Sequence, residues 1–154
     1  MGSFQRDLAI SQVAVDLLLD HLADNGYNTS ELEGREAQKQ GDITIEKDGV
    51  FTNIEVKYDM YAKRSGNLCF EMSNGKKMTG IMITPAERVY YVVPQKGRSH
   101  KVLVFDTEKL RAWIQDPDNV VIKSGGDKKK FVLALAKIDK IIECGLPEEV
   151  FEIE

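Results

Sequence analysis

The sequence predicts a mixed α/β domain, and three patterns predict it. Leu8, Val15, Leu18, Leu19 and Leu22 recur at helical spacing near the N-terminus. The period then changes to two, in Asp42-Ile43-Thr44-Ile45-Glu46 and again in Asn53-Ile54-Glu55-Val56-Lys57. Between these runs stands Asp48-Gly49, a dipeptide suited to a two-residue hairpin turn.

Taken in order, the apolar stripe predicts a helix over residues 4–25, stopped by Asn25-Gly26. Residues 28–41 are polar, contain Gly34 and Gly41, and read as a connector with one short helical turn. Beyond the hairpin, strands are expected at 68–72, 88–93 and 101–105. A helix is expected over 107–115, with Thr107 as its cap and Leu110, Trp113 and Ile114 on its buried side. Residues 119–123 and 131–136 predict a late hairpin around Gly125-Gly126, and 138–144 a closing helix ended by Gly145. No repeat or linker divides the chain, so one domain is expected over 1–154.

Bulk properties narrow the function. With 154 residues and 42% hydrophobic content, the chain has enough apolar matter for a core and too much for a disordered chain. No apolar run is long enough to cross a bilayer, and no basic segment leads into an apolar stretch at the N-terminus. A cytoplasmic location without membrane contact is therefore expected. Cys69 and Cys144 lie far apart and fit no zinc spacing, which suits free thiols in a reducing compartment. His21 and His100 are isolated, which disfavours a histidine metal centre or nucleophilic triad. The net charge of -4 stands mildly against nucleic-acid binding, but placement matters more than the sum. Basic residues cluster in 57–64, 76–77, 96–101 and 128–130.

The chemistry sits on the first hairpin. If Asp48 and Gly49 are the central turn residues, Lys47 faces Val50 and Thr44 faces Asn53. Continuing the count sets Asp42 opposite Glu55, with both side chains on one face. Lys57, two residues on, projects from the same face, while Ile43, Ile45, Ile54 and Val56 enter the core. Two adjacent carboxylates call for compensation, and a hard divalent cation such as Mg2+ supplies it. The main-chain oxygen of Val56 is a further candidate ligand. Lys57 is then placed to orient or deprotonate a metal-bound water and to stabilise charge on a phosphate.

Gly41-Asp42, twelve residues, and Glu55-Val56-Lys57 resemble the signature of the PD-(D/E)XK nuclease superfamily, with glycine where the motif's proline stands. The likeness continues through Tyr58-Asp59, Ser65-Gly66-Asn67-Leu68, Glu71, Thr79-Gly80-Ile81 with Thr84 and Ala86, and Val89-Tyr90-Tyr91-Val92-Val93. Over residues 41–94 it resembles phage and mobile-element members, including homing endonucleases and Holliday-junction-resolvase-like enzymes. The resemblance implies an α/β restriction-endonuclease-like core, a mixed sheet with flanking helices, and metal-dependent hydrolysis of DNA. Asp42 and Glu55 would be metal ligands and Lys57 the catalytic lysine, with Mg2+ as the cofactor and Mn2+ as a substitute.

Many members also place a glutamate on the first helix. This chain has none there, and Asp16, Gln12 and Asp7 are the candidates for that place. Asp59, Asn67 and Glu71 form a second tier, Glu71 reaching either the metal or Lys57. Ser65-Gly66-Asn67 reads as a phosphate-facing set of amides or as a plain turn. Lys63, Arg64, Lys96, Arg98 and Lys101 are candidate phosphate contacts, and Tyr58 and Tyr61 either stack on bases or cover the hairpin. A chain without a separate reader module favours a homo-oligomer, dimer or higher, addressing the two strands of duplex or branched DNA. The competing reading is a catalytically inactive DNA-binding or assembly subunit on a nuclease fold, which the intact Asp42, Glu55 and Lys57 argue against.

Overall fold

Asp48 and Gly49 both take positive φ, 54° and 81°, so the hairpin closes through the tight turn that their sequence favours. The computed structural model describes residues 3–125 and 130–154, with side chains from Ala9 onward. Strands β2 (Ile43–Lys47) and β3 (Val50–Tyr58) pair in the expected register, Lys47 opposite Val50 and Thr44 opposite Asn53. The regular ladder ends at Ile43 opposite Ile54, one residue short of Asp42.

The hairpin lies inside a six-stranded sheet. Its order is β1 (Asn28–Glu31), β2, β3, β5 (Arg88–Pro94), β6 (His100–Asp106) and β9 (Glu149–Ile153). The β3–β5 pair is parallel and its other neighbours are antiparallel, so the sheet is mixed. A second, antiparallel sheet has the order β4 (Asn67–Ser73), β8 (Phe131–Lys137) and β7 (Val121–Gly125).

Strand alternation divides the core in two. Helix α1 (Ser3–Asp24) sets Ala14, Val15, Leu18 and Leu22 against Ile43, Ile45, Ile54 and Val56. The opposite face carries Val89, Tyr91, Leu103 and Phe105, packed with Leu68 and Phe70 of β4 and with Leu110 and Ile114 of α4 (Thr107–Ile114). Each such side chain, fully buried, contributes about 1.5–3 kcal/mol before entropy is counted. Helices thus flank a mixed sheet, as expected, and a separate three-stranded sheet joins them.

Three expectations need correction. Residues 28–41 are more than a connector: they hold β1 and helix α2 (Gly34–Gln40). All four β1 residues are polar, so no apolar alternation marks a strand that exists through backbone pairing with β2. Strand β9 follows Gly145 and pairs with β6, and Ile153 is its buried residue. The cap of α4 is Asp106, whose carboxylate accepts from the Lys109 N–H at 3.1 Å; Thr107 is buried inside the first turn. The expected hairpin residue Gly126, the basic residues Lys128 and Lys129, and the Asp7 side chain lie outside the described residues.

Between α2 and the hairpin, Gly41 takes φ 117°, and a Cβ there would stand 2.7 Å from the Ile54 carbonyl oxygen. Gly97 also has positive φ, 72°, but has open space around it. Gly41→Ala is therefore expected to cost about 1–3 kcal/mol more than Gly97→Ala, because clash adds to strain. Denaturant midpoints measure this, and equal midpoints for the two variants would show that Gly41 does not approach Ile54 so closely.

Candidate active site

β3 sends Ile54 and Val56 into the α1 core, and Glu55 and Lys57 to the opposite face. Asp42 reaches that face by leaving the ladder. Its N–H donates to the Ile54 carbonyl at 2.8 Å, and its Oδ2 accepts from the Val56 N–H at 2.8 Å. The side chain thereby replaces the missing next residue of β2. Lys57 Nζ lies 3.4 Å from Glu55 Oε1, and the Thr84 hydroxyl donates to Glu55 Oε2 at 3.0 Å. Asp42, Glu55 and Lys57 thus share one neighbourhood, reached through a carboxylate–amide bond rather than through a continued ladder.

The electrostatics are those of a crowded acid pair. Burial, then the Glu55 charge, raises the Asp42 pKa above its usual value, while the Val56 N–H and Lys57 pull it down. Glu31 of β1 adds a smaller upward push. Among the described residues, no hydrogen bond engages Asp42 Oδ1. Glu55 is partly open, with 20% of its side chain exposed against 42% for Lys57.

On α1, the Gln12 amide donates to Asp16 at 3.0 Å and to both Glu31 oxygens at 3.0 and 3.1 Å. Gln12 and Asp16 thus belong to a network with Glu31, an acid that sequence reasoning missed because β1 carries no strand signal. Among the described residues, no three of His, Cys, Asp and Glu close around one point, so Asp42 and Glu55 stand as a two-carboxylate pair.

The second tier separates. A cleft of about 460 Å³ is lined by Lys57, Glu71, Gly80 and Tyr91, with Ile10 and Ser11 of α1 at its border. Glu71 shares this cleft, but the ion partner of Lys57 is Glu55. Asp59 also borders it, with its carboxylate accepting N–H bonds from Ala62 and Cys69, each at 3.0 Å. It ties the one-turn helix α3 (Ala62–Ser65) to β4, and burial raises its pKa against those bonds. The Cys69 thiol is pushed up to about 11 by burial, then by the charges of Asp59 and Glu71, which makes it a poor nucleophile.

Ser65-Gly66-Asn67 is an internally satisfied turn. Its amides donate to the Tyr61 carbonyl, the Ala62 carbonyl and Ser65 Oγ, leaving none free for a phosphate. Asn67 lines a different pocket, beside Lys137 and Lys140, and does not join Asp42.

Lys63 Nζ donates to the Gln95 carbonyl at 3.1 Å, which sets α3 against the β5–β6 turn bearing Lys96 and Arg98. Lys63, Arg64, Lys96 and Arg98 are exposed, and Lys101 is half-buried. Tyr61 is 80% exposed at the cleft, whereas Tyr58 turns its hydroxyl toward His100.

No family model and no curated protein matches the sequence. Among solved structures, a bacterial homing endonuclease, I-Ssp6803I, is similar with a TM-score of 0.51 and 12% identity. The match covers 70% of this chain and 71% of that chain. The likeness shows a shared mixed α/β fold over the matched part. No described helix is long and apolar enough to cross a membrane.

The raised Asp42 pKa has a measurable sign. Relative to 3.8 in the unfolded chain, ionisation costs folded-state stability. That cost is absent below pH 3.8 and complete once pH exceeds the raised folded value. Without metal, Asp42→Asn is expected to melt above the wild type at pH 7, by roughly 2–4 °C for each 1 kcal/mol removed. The gap closes as pH falls toward 3.8, and a variant no more stable at pH 7 than at pH 4 relative to wild type would contradict it.

Proposed function

We propose that the chain is a DNA endonuclease that hydrolyses phosphodiester bonds with Mg2+, acting as a phage or mobile-element enzyme of the homing or junction-resolving kind. The observation that carries this reading is that Asp42, Glu55 and Lys57 gather in one neighbourhood, with Lys57 also lining an open cleft. The shared fold supports it, and so does the designation of the similar structure as a homing endonuclease.

The donor set fits the metal. Two carboxylates offer oxygen, and Mg2+ typically takes one or two carboxylates plus water and substrate phosphate. N–H and C=O of one residue in an extended strand leave on the same edge, so the Val56 carbonyl points where its N–H meets Asp42. Asp42, Glu55 and the Val56 carbonyl would therefore hold the ion. The chemistry such an ion would supply there is polarisation of the scissile phosphate and acidification of a water.

The chain's own groups do the rest. Val56 N–H fixes the Asp42 carboxylate, and Thr84 and Lys57 fix the two oxygens of Glu55. The Lys57 ammonium is half-exposed and donates to an attacking water or to a phosphate oxygen where negative charge grows. Lys63, Arg64, Lys96 and Arg98 offer exposed positive charge to flanking phosphates despite the net charge of -4. A homo-oligomer would bring a second site to the opposite strand.

Asp42→Asn, Glu55→Gln and Lys57→Ala are each expected to lower cleavage by at least about 100-fold, as loss of a transition-state stabiliser does. Each variant should keep a cooperative melt. The assay uses linear, nicked, single-stranded and four-way DNA with Mg2+ or Mn2+, and Ca2+ is expected to support binding without efficient cutting. Wild-type rates in any of the three variants would place the chemistry elsewhere. DNA retention by the unaltered protein, with no cleavage in either metal, would instead favour an inactive binding subunit.

A further inference from the structure

We propose that Thr84, held by Arg111, is a positioning residue for Glu55, resting on the reading that Glu55 holds a metal. Thr84 is 8% exposed, and its hydroxyl donates to Glu55 Oε2 at 3.0 Å while Lys57 attends Oε1 at 3.4 Å. The two carboxylate oxygens therefore have different partners, and the orientation of a long side chain is set. Second partners of this type orient ligating carboxylates at metal sites.

Thr84 sits in a segment outside both sheets, so its own position needs an anchor. Gly80 begins that segment with φ 55°, and a Cβ there would lie 2.5 Å from the Glu71 carbonyl oxygen. Arg111, on α4, donates from Nε to the Ile81 carbonyl at 2.7 Å and from Nη2 to the Thr84 carbonyl. Its Nη1 pairs with Glu108. The planar guanidinium serves several acceptors at fixed angles, a pattern that lysine does not reproduce. A path of hydrogen bonds thus runs from α4 through the segment to Glu55. The Thr84 hydroxyl also accepts from the Ala86 N–H at 3.4 Å, so a turn-holding role is the competing explanation.

The test compares Thr84→Val, Thr84→Ser and Arg111→Lys with the unaltered chain. The readouts are calorimetric Mn2+ binding without DNA, the Mg2+ dependence of cleavage, and the Glu55 carboxyl 13C resonance. Thr84→Val is expected to weaken Mn2+ about 10–100-fold and to shift the Glu55 resonance. Saturating Mg2+ should restore most of its kcat. Thr84→Ser should restore both binding and resonance, and Arg111→Lys should fall between.

Should Thr84→Val melt below the assay temperature, Thr84→Ala carries the same comparison. A Val or Ala variant with wild-type Mn2+ affinity and an unmoved resonance overturns the proposal, as does a Ser variant as impaired as Val. If the unaltered protein binds no Mn2+, the metal reading fails by itself. The Glu55 resonance then decides alone: moved in Val and restored in Ser supports the positioning role, and unmoved in Val refutes it.

Discussion

Where β2 stops pairing, the Val56 N–H of β3 faces an empty strand position, and Asp42 fills it with a side chain. A strand amide inside a fold needs an acceptor. The Val56 N–H finds the Asp42 carboxylate at 2.8 Å, while the Asp42 N–H holds the Ile54 carbonyl. A hydrogen bond to a charged group contributes about 1.5–3 kcal/mol. The position of the acid is therefore a consequence of sheet formation, and the sheet edge is completed by the acid. Gly41 is part of the same device, because only a residue without a Cβ brings the chain so close to Ile54.

From this bend the remaining geometry follows by alternation. Ile54 and Val56 lock β3 to α1, which leaves Glu55 and Lys57 to the other face. There the small sheet and α4 pack apolar side chains against Val89, Tyr91, Leu103 and Phe105, while Glu55 keeps 20% of its side chain exposed. Partial burial raises the free energy of the ionised Asp42, and Glu55 adds to it. The fold gives up some stability to hold two carboxylates together, a common relation between stability and function. Thr84 and Arg111 extend the same economy of orientation outward, so that Glu55 is gripped from the segment as well as from Lys57.

The sequence is legible where chemistry is local. Asp48-Gly49 specifies the turn, the turn specifies the register as far as Ile43, and the α1 stripe specifies its buried face. It is illegible where a strand is made by its neighbours. Asn28-Thr29-Ser30-Glu31 has no apolar alternation, yet it pairs along β2, and Glu31 enters the acidic neighbourhood with it. Asp42 shows a subtler limit: counting along the ladder finds its neighbour Glu55 but not the side chain to amide bond that places it there. Asp59 and Asn67 share a continuous motif with Lys57, but backbone amides occupy Asp59 and another pocket takes Asn67. The Arg111 contacts bridge 30 and 27 residues, a distance over which no spacing rule operates.

The most direct measurement is a crystal structure of the protein soaked in Mn2+, read from the anomalous signal. The expected peak lies about 2.0–2.2 Å from oxygens of both Asp42 and Glu55, with the Val56 carbonyl in the same shell. A peak beside Glu31 and Asp16 instead, or an Asp42 side chain turned away from the Val56 N–H, would contradict the proposed centre.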